Sequence, residues 1–162
     1  MEIIKQLFDV ASLFDITDNL DIVSETFHKF ATTELKYRNL DWTNTKQVLD
    51  DIYHTALCIC LRGQENSGKF NLLNPGIKRI QSFIHSERYT IDSAITNASK
   101  AAYLSVLIAN NMKDIQHFDS TDIESLRNAI IQEPLPTKLN KLKKTNIEAF
   151  FYWHEIGKIN VH

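Results

Sequence analysis

The sequence predicts an all-α protein, a single-domain helical bundle of about seven helices, and three observations lead to that fold class. Glycine (4 residues) and proline (3 residues) are scarce among the 162 residues, whereas sheets with many tight turns use more of both. Apolar residues recur at spacings of three and four in segment after segment, which is the period of an amphipathic helix. No segment sustains the period-two alternation of a strand, and no repeat of solenoid length is present. The length suits one domain over residues 1–162.

The first three predicted helices each carry one apolar stripe. The second begins after Asn19, whose side chain suits an N-cap, and ends near Tyr37. The third is capped by Thr43 or Asn44 and stops at Gly63. The first two stripes consist of Ile3, Ile4, Leu7, Phe8, Ala11 and Phe14, and of Leu20, Val23, Phe27, Phe30, Ala31 and Leu35.

The middle of the chain predicts a loop and then two helices. Residues 63–70 lack periodicity and contain two glycines, so they predict a loop. Asn74 as N-cap and Pro75 in the first turn predict the start of a fourth helix. Residues 91–110 form the most apolar segment, in which alanines permit close approach, so we expect this helix at the centre of the bundle.

Two later helix starts are predicted from capping boxes, in which a threonine and a glutamate three residues later satisfy each other's backbone N–H groups. Thr121 with Glu124 precedes a short helix, and Thr145 with Glu148 precedes the last helix. A segment with two prolines separates these helices.

The charge balance and the cysteines exclude several classes of protein. Lysine and arginine total 18 against 20 aspartates and glutamates, a net charge of -2, which argues against a protein whose main task is to grip nucleic-acid phosphates. The longest near-apolar run, residues 101–109, is far shorter than a membrane span, and Glu2 stands where a signal peptide carries positive charge. Cys58 and Cys60 diverge by about 200° on a helix, so they predict neither a disulfide framework nor a zinc pair. We therefore expect a cytoplasmic protein with no membrane contact, no metal and no cofactor.

Two short motifs match a nucleotide site and a metal site only in part. Residues 63–69 resemble the start of a Walker A loop, but Phe70 replaces the hydroxyl residue that would hold magnesium. His54 and Cys58 lie one turn apart on a helix, and no second pair of ligands follows at a matching distance. We interpret the first motif as a solvated loop and do not predict a metal site at the second.

Arg79 and His85 form the alternative catalytic candidate. An arginine followed at this spacing by a histidine resembles the signature of HEPN ribonucleases, which are also small all-α proteins. The histidine would move a proton from a ribose hydroxyl, and the arginine would stabilise the charged phosphate, without a metal. On an unbroken helix the two side chains lie about 240° apart, so the pair requires a helix break near His85.

Four lysines and an aromatic block indicate a candidate RNA surface. Lys138, Lys141, Lys143 and Lys144 precede the aromatic residues 150–153, and basic residues beside aromatic ones are typical of RNA-binding surfaces. Four consecutive aromatics point in all directions around a helix, however, so most of them must pack into the bundle. A solvated basic segment is the simpler interpretation.

The first helix contains the residues of a family resemblance. Residues 4–10, IKQLFDV, resemble a motif of AbiEii/AbiGii-type nucleotidyltransferase toxins, abortive-infection proteins of bacteria. In that family a polymerase-β-like catalytic half precedes a helical half, and a lysine, an aspartate, two residues and a second aspartate mark the junction. Lys5 and Asp9 match this motif, and Gln6 stands where the first aspartate is expected. Residues 37–40, 50–62 and 87–104 are also similar to the helical half.

The resemblance implies a non-catalytic module. The catalytic half of that family carries a glycine-serine pair and paired acidic residues, and no glycine-serine pair occurs in this sequence. The chain would then correspond to the helical half of a toxin–antitoxin nucleotidyltransferase, with Lys5 and Asp9 as a remnant of the motif. It would bind a catalytic or antitoxin partner chain, or substrate RNA.

The first helix also predicts an exposed surface. In a longer toxin it would lie at the junction with the catalytic half. We therefore expect an apolar strip of this helix, with Lys5 and Asp9, to face solvent or a second copy. A homodimer that includes this helix is the corresponding expectation.

Overall fold

A computed structural model describes residues 2–84 and 88–160. Within those ranges the chain forms eight α-helices, one 3₁₀ helix and no strand, so the predicted all-α bundle is confirmed. The α-helices are α1 (Glu2–Phe14), α2 (Leu20–Tyr37), α3 (Lys46–Cys60), α4 (Ser67–Ile80), α5 (Ile91–Ala109), α6 (Asp122–Leu126), α7 (Leu142–Thr145) and α8 (Ile147–Asn160), and the 3₁₀ helix covers Thr137–Lys141. None of these helices combines the length and apolar character needed to cross a membrane.

Helix α5 is the centre of the bundle, as its composition predicts. Helices α1, α3 and α8 pack around it. Thr90 and Ser93 form a capping box at its start, with each side chain meeting the backbone N–H of the other residue. Buried alanines let the neighbouring helices approach closely, among them Ala94, Ala98 and Ala102.

The aromatic block of α8 packs into the core. All four residues from 150 to 153 are buried, which confirms that they do not form an exposed aromatic surface. Trp153 Nε1 donates a hydrogen bond of 3.3 Å to Cys60 Sγ, which lies 3.3 Å from Ser99 Oγ. Burial raises the pKa of Cys60 to about 11, so the thiol stays protonated and joins α3, α5 and α8 as a neutral group.

A buried lysine joins three helices. Lys100 on α5 lies 2.8 Å from a carboxylate oxygen of Asp15 after α1, and 2.9 Å from one of Glu148 on α8. Burial alone would lower the pKa of Lys100, but the two carboxylates outweigh burial and raise it. The ammonium is therefore held charged at the meeting point of α1, α5 and α8.

The predicted start of α4 is wrong. The helix begins at Ser67 instead of at Pro75, and Asn66 Oδ1 accepts a hydrogen bond of 2.9 Å from Lys69 N. Asn66 is thus the N-cap, residues 67–70 are helical and not loop, and Pro75 lies inside the helix. Proline there removes one backbone donor, and the buried Leu73 and Ile77 on either side hold the helix in place.

Three other predicted caps differ in the structure. The side chain of Thr121 makes no cap bond; instead Asp119 N donates to Asp122, and Thr121 N donates to Asp119. Before α8 the cap is Asn146, whose Oδ1 lies 3.1 Å from Ala149 N, while Thr145 ends α7. At α3 the Thr43 hydroxyl donates to Asp41, and the helix begins at Lys46. Aspartate or asparagine one or two residues away therefore replaces threonine at two of these starts.

Three helices end in the same left-handed turn. The non-glycine residues with positive φ in the described chain are Asn39, Arg62 and Asn111, after α2, α3 and α5. The next residue donates back to the helix in each case, and Leu40 N lies 2.9 Å from Leu35 O. Gly63 follows Arg62 with φ 75°, and a Cβ there would lie 2.6 Å from that of Phe70, so glycine is required.

Candidate protein-interaction surface

Helix α2 contributes little to the core for its length. Only Leu20, Ala31 and Leu35 are buried among its 18 residues. The sequence places Phe30 in the apolar stripe of this helix, and its side chain is 69% exposed. Helical spacing shows that residues share a face and does not show whether another helix covers that face.

One side of α2 carries exposed apolar residues and no charge. At 100° per residue, six side chains fall within an arc of about 100°. We call this the outer face of α2: Ile22, Val23, Thr26, Phe30, Thr33 and Tyr37. Ile22 is 62% and Tyr37 84% exposed, and Val23 is half-buried. The Thr33 hydroxyl donates to Lys29 O at 2.9 Å, so this polar group is already satisfied.

The charged residues of α2 lie on both edges of the outer face. On one edge Glu25 pairs with Lys29 at 2.5 Å, and the hydrogen bond from this lysine lowers the pKa of Glu25. On the other edge Glu34 pairs with Arg38 at 3.6 Å. The outer face is thus an uncharged strip with charged edges, which is the pattern of a helix that packs against another chain.

The turn after α2 extends the apolar surface. Leu40 and Trp42 are both about half exposed. The Lys36 ammonium lies 4.3 Å from the centroid of the Trp42 ring, a cation–π contact that holds the indole beside the end of the helix. His28 Nδ1 lies 2.9 Å from the Thr45 hydroxyl, which ties this turn back to α2.

Helix α1 differs in part from its prediction. Most of the predicted stripe packs into the bundle: Ile4, Ala11 and Phe14 are buried, and Leu7 and Phe8 pack against the core. Ile3 of the predicted stripe is exposed, and so are the neighbouring Val10 and Leu13 and, after the helix, Ile16. Lys5 and Asp9 are exposed, as expected, and the structure gives no ion pair between them.

The four lysines of the candidate RNA surface have different surroundings. Lys143 is half-buried, donates to Arg127 O and Ala129 O, and lies 5.1 Å from the centroid of the Phe150 ring. It therefore stabilises the preceding loop. Lys138, Lys141 and Lys144 remain exposed.

Of the alternative ribonuclease pair, Arg79 is exposed in the last turn of α4, and His85 lies outside the described residues. Helix α4 ends at Ile80, so the unbroken helix that would separate the two side chains does not continue to His85. The pair stays a prediction.

The partial nucleotide and metal motifs have ordinary structural surroundings. Lys69 pairs with Asp51 at 3.3 Å, and the segment before Gly63 is helix α3 and not the strand of a Walker A unit. His54 Nδ1 donates to Asp50 O at 2.7 Å, and Cys58 Sγ lies 3.5 Å from Asn66 O. Within residues 2–84 and 88–160, no group of three acidic, histidine or cysteine residues is placed to hold a metal ion.

One pocket was not predicted from the sequence. A cavity of about 470 Å³ lies between α6, α8 and the segment before α6, and its lining includes His117, Ser125 and His154. His117 Nε2 donates to Thr17 O at 3.0 Å. Burial, and then the charge of Lys158, lower the pKa of His154, so its ring is neutral near pH 7. The residues come from distant segments, so no local spacing could have predicted the pocket.

No protein-family model, curated protein or solved structure matches this chain.

Proposed function

We propose that this chain is a non-catalytic helical module that binds another protein chain through the outer face of α2. The observation that carries the proposal is that the outer face of α2 is an uncharged, largely apolar strip left exposed to solvent, whereas the apolar residues of α5 are covered by other helices. Phe30 and Tyr37 expose large aromatic surfaces on the same side of the helix, about two turns apart. Aromatic residues of this kind are enriched at the centres of protein interfaces.

The surroundings of the outer face indicate a binding surface and not a chance exposure of apolar side chains. Scattered exposed apolar residues are normal, but here they share one arc of a five-turn helix and continue into Leu40 and Trp42. Charged pairs border the strip on both edges, as polar residues border the core of an interface. The helix has its own caps at Asn19 and in the turn at Asn39, so it is formed before any partner arrives.

The kinship with the helical half of AbiEii/AbiGii-type toxins stays a prediction. Under it, the partner is a catalytic or antitoxin chain. RNA binding through Lys138, Lys141 and Lys144 is a weaker proposal, because Lys143 is engaged within the bundle and the net charge is -2.

Site-specific photocrosslinking tests the proposal in the cells that naturally produce the protein. A photoreactive residue replaces Phe30 in one variant and Leu72 in the control, because Leu72 is 81% exposed on α4, away from the outer face. We expect one protein, identified by mass spectrometry, to be crosslinked at position 30 and not at position 72. Equal crosslinking at both positions, or none at position 30, would overturn the proposal.

An enzyme assay tests the alternative function, that of a ribonuclease. RNA cleavage by the purified chain that is lost in both Arg79→Ala and His85→Ala would replace the binding proposal with the ribonuclease. Because Arg79 is exposed, its substitution is expected to leave the fold intact.

A further inference from the structure

The cavity between α6 and α8 is lined by a histidine with a buried ring nitrogen that lacks a hydrogen bond. His154 Nδ1 is enclosed and has no hydrogen-bond partner among the described residues. Glu155 Oε1 lies 3.8 Å from it, which is too far for a hydrogen bond. While Nδ1 carries no proton, only a lone pair is left unpaired there, and the cost of burial is small compared with that of a charge.

The Glu155 carboxylate is already engaged elsewhere. Its side chain is 13% exposed, and the same oxygen, Oε1, accepts a hydrogen bond from the Lys158 ammonium. A proton on His154 Nδ1 would therefore be buried beside an acceptor that Lys158 occupies. A charged ring in that position requires either this carboxylate or water for its stabilisation.

Charged and titratable groups face His154 from the elements that line the cavity. Burial disfavours the protonated ring most, the charges of Lys158 and Lys143 add to this effect, and Glu155 opposes it, so that the pKa of His154 is lowered. The groups are Glu155 and Lys158 on α8, Lys143 on α7, Asp122 on α6 and His117 before α6.

Helix α6 is the wall of the cavity that is held least firmly. It has five residues and buries only Leu126, whereas α8 buries its whole aromatic block. Two polar groups of α6 bond within their own segment, since Asp122 accepts from Asp119 N and the Ser125 hydroxyl donates to Asp122 O. Movement of α6 away from α8 therefore admits water to His154 and breaks few contacts.

We propose that the contact between α6 and α8 is an acid-sensitive switch, which is closed while His154 is neutral and opens when His154 is protonated. In the closed form the imidazole stacks on Phe150, with the ring centroids 6.1 Å apart. In the open form water hydrates the charged ring. The switch lies on a different part of the bundle from the outer face of α2, so it holds or fails independently of the proposed function.

The direction of the pH effect follows from the burial of the ring. Folding lowers the pKa of His154 from its ordinary value of 6.5. The closed form is therefore fully favoured above pH 6.5 and loses that advantage as the pH falls through the folded pKa.

Hydrogen–deuterium exchange at pH 7 and pH 5 tests the switch, with rates corrected for the intrinsic effect of pH on exchange. We expect the protection of residues 122–129 to fall at least about five-fold at pH 5 in the wild type and to stay unchanged in His154→Gln, which has no titrating ring at this position. His54→Gln is the control, because His54 is exposed on α3, and it should behave like the wild type. Protection that is equal at both pH values in the wild type, or that falls equally in His154→Gln, would overturn the proposal.

Proton NMR titration of the His154 ring tests the neighbours that set the switch. The wild-type ring should titrate below pH 6.5. Glu155→Gln removes the carboxylate that favours the protonated ring and should lower the midpoint, whereas Lys158→Met removes an opposing ammonium and should raise it. Lys144→Met, at an exposed position on α7, should leave it unchanged. A wild-type midpoint at or above pH 6.5, or shifts in the opposite directions, would also overturn the proposal.

Discussion

Helices α2 and α5 are nearly equal in length, at 18 and 19 residues, but they have opposite environments. Helix α5 buries 12 residues, including polar ones, because α1, α3 and α8 surround it. Helix α2 buries three residues and exposes two aromatic rings. Both sequences carry apolar residues at helical spacing, so the difference lies in which neighbours cover them. A helix with an apolar stripe that its own chain leaves uncovered is the place to look for a partner.

The largest expected effect is in the core of α5. Leu107→Ala removes a side chain that is 1% exposed and leaves a cavity, so the free energy of unfolding should fall by about 2–5 kcal/mol. Phe30→Ala on α2 should change it by less than about 0.5 kcal/mol at a concentration where the chain is monomeric. Urea unfolding measures both. A similar loss in the two variants would show that α2 is held in the core after all.

The next effect concerns the charge at the centre of α5. Lys100→Met leaves the carboxylates of Asp15 and Glu148 without their cation, and because both are partly exposed the cost should be about 1–3 kcal/mol. The control is Lys29→Met on α2, whose exposed pair with Glu25 should contribute less than about 0.5 kcal/mol.

The same lysine predicts a dependence on pH. Its pKa is raised on folding above the ordinary value of 10.5, so its stabilisation is fully present below pH 10.5 and is lost as pH rises through the folded pKa. Buried tyrosines titrate in the same range, and burial raises the pKa of Tyr89 to about 12. The difference in unfolding free energy between wild type and Lys100→Met isolates the lysine. It should shrink above pH 10.5, and a difference that grows there would contradict the assignment.

A smaller effect tests the corrected start of α4. Asn66→Ala removes the side chain that caps Lys69 N and should cost about 1 kcal/mol of unfolding free energy. Asn74→Ala is the matched control, since Asn74 lies inside the helix, and alanine there should cost less. A larger loss for Asn74→Ala than for Asn66→Ala would instead support the predicted helix start at Pro75.

The smallest effect separates the lysines. Lys143→Ala loses bonds to two loop carbonyls and the contact with Phe150, so it should destabilise the chain by about 1 kcal/mol. Lys144→Ala, at an exposed position, should lie within about 0.5 kcal/mol of wild type. Thermal unfolding measures both variants, and equal stability of the two would contradict the stabilising contacts of Lys143.

The fold was predictable because helical spacing and burial agree over most of the chain. The stripes of α1 and α3, and the central place of α5, follow from apolar periodicity. Cap positions were less predictable, because several Asn, Asp and Thr residues lie near each helix start and only the backbone geometry selects among them. The burial of Lys100 was not predictable, because it depends on two carboxylates 85 and 48 residues away.

The candidate surface was predictable only in part. Sequence spacing identifies Phe30 as part of an apolar stripe but does not show whether another helix covers it. Its exposure depends on contacts that α2 does not make, and such contacts have no local sequence signal. The residues of the family motif, Lys5 and Asp9, are exposed but lie on α1, away from the face that supports the proposal.

The most direct test of the central claim is hydrogen–deuterium exchange of α2 and α5 in the purified chain. Amides of α5 should be strongly protected, since they open only with the core. Amides of α2 should exchange faster than those of α5. The protein crosslinked at position 30 should protect α2 when it is added, and Phe30→Ser should abolish that protection. Protection of α2 that equals that of α5 in the purified chain would contradict the claim that α2 is an uncovered binding helix.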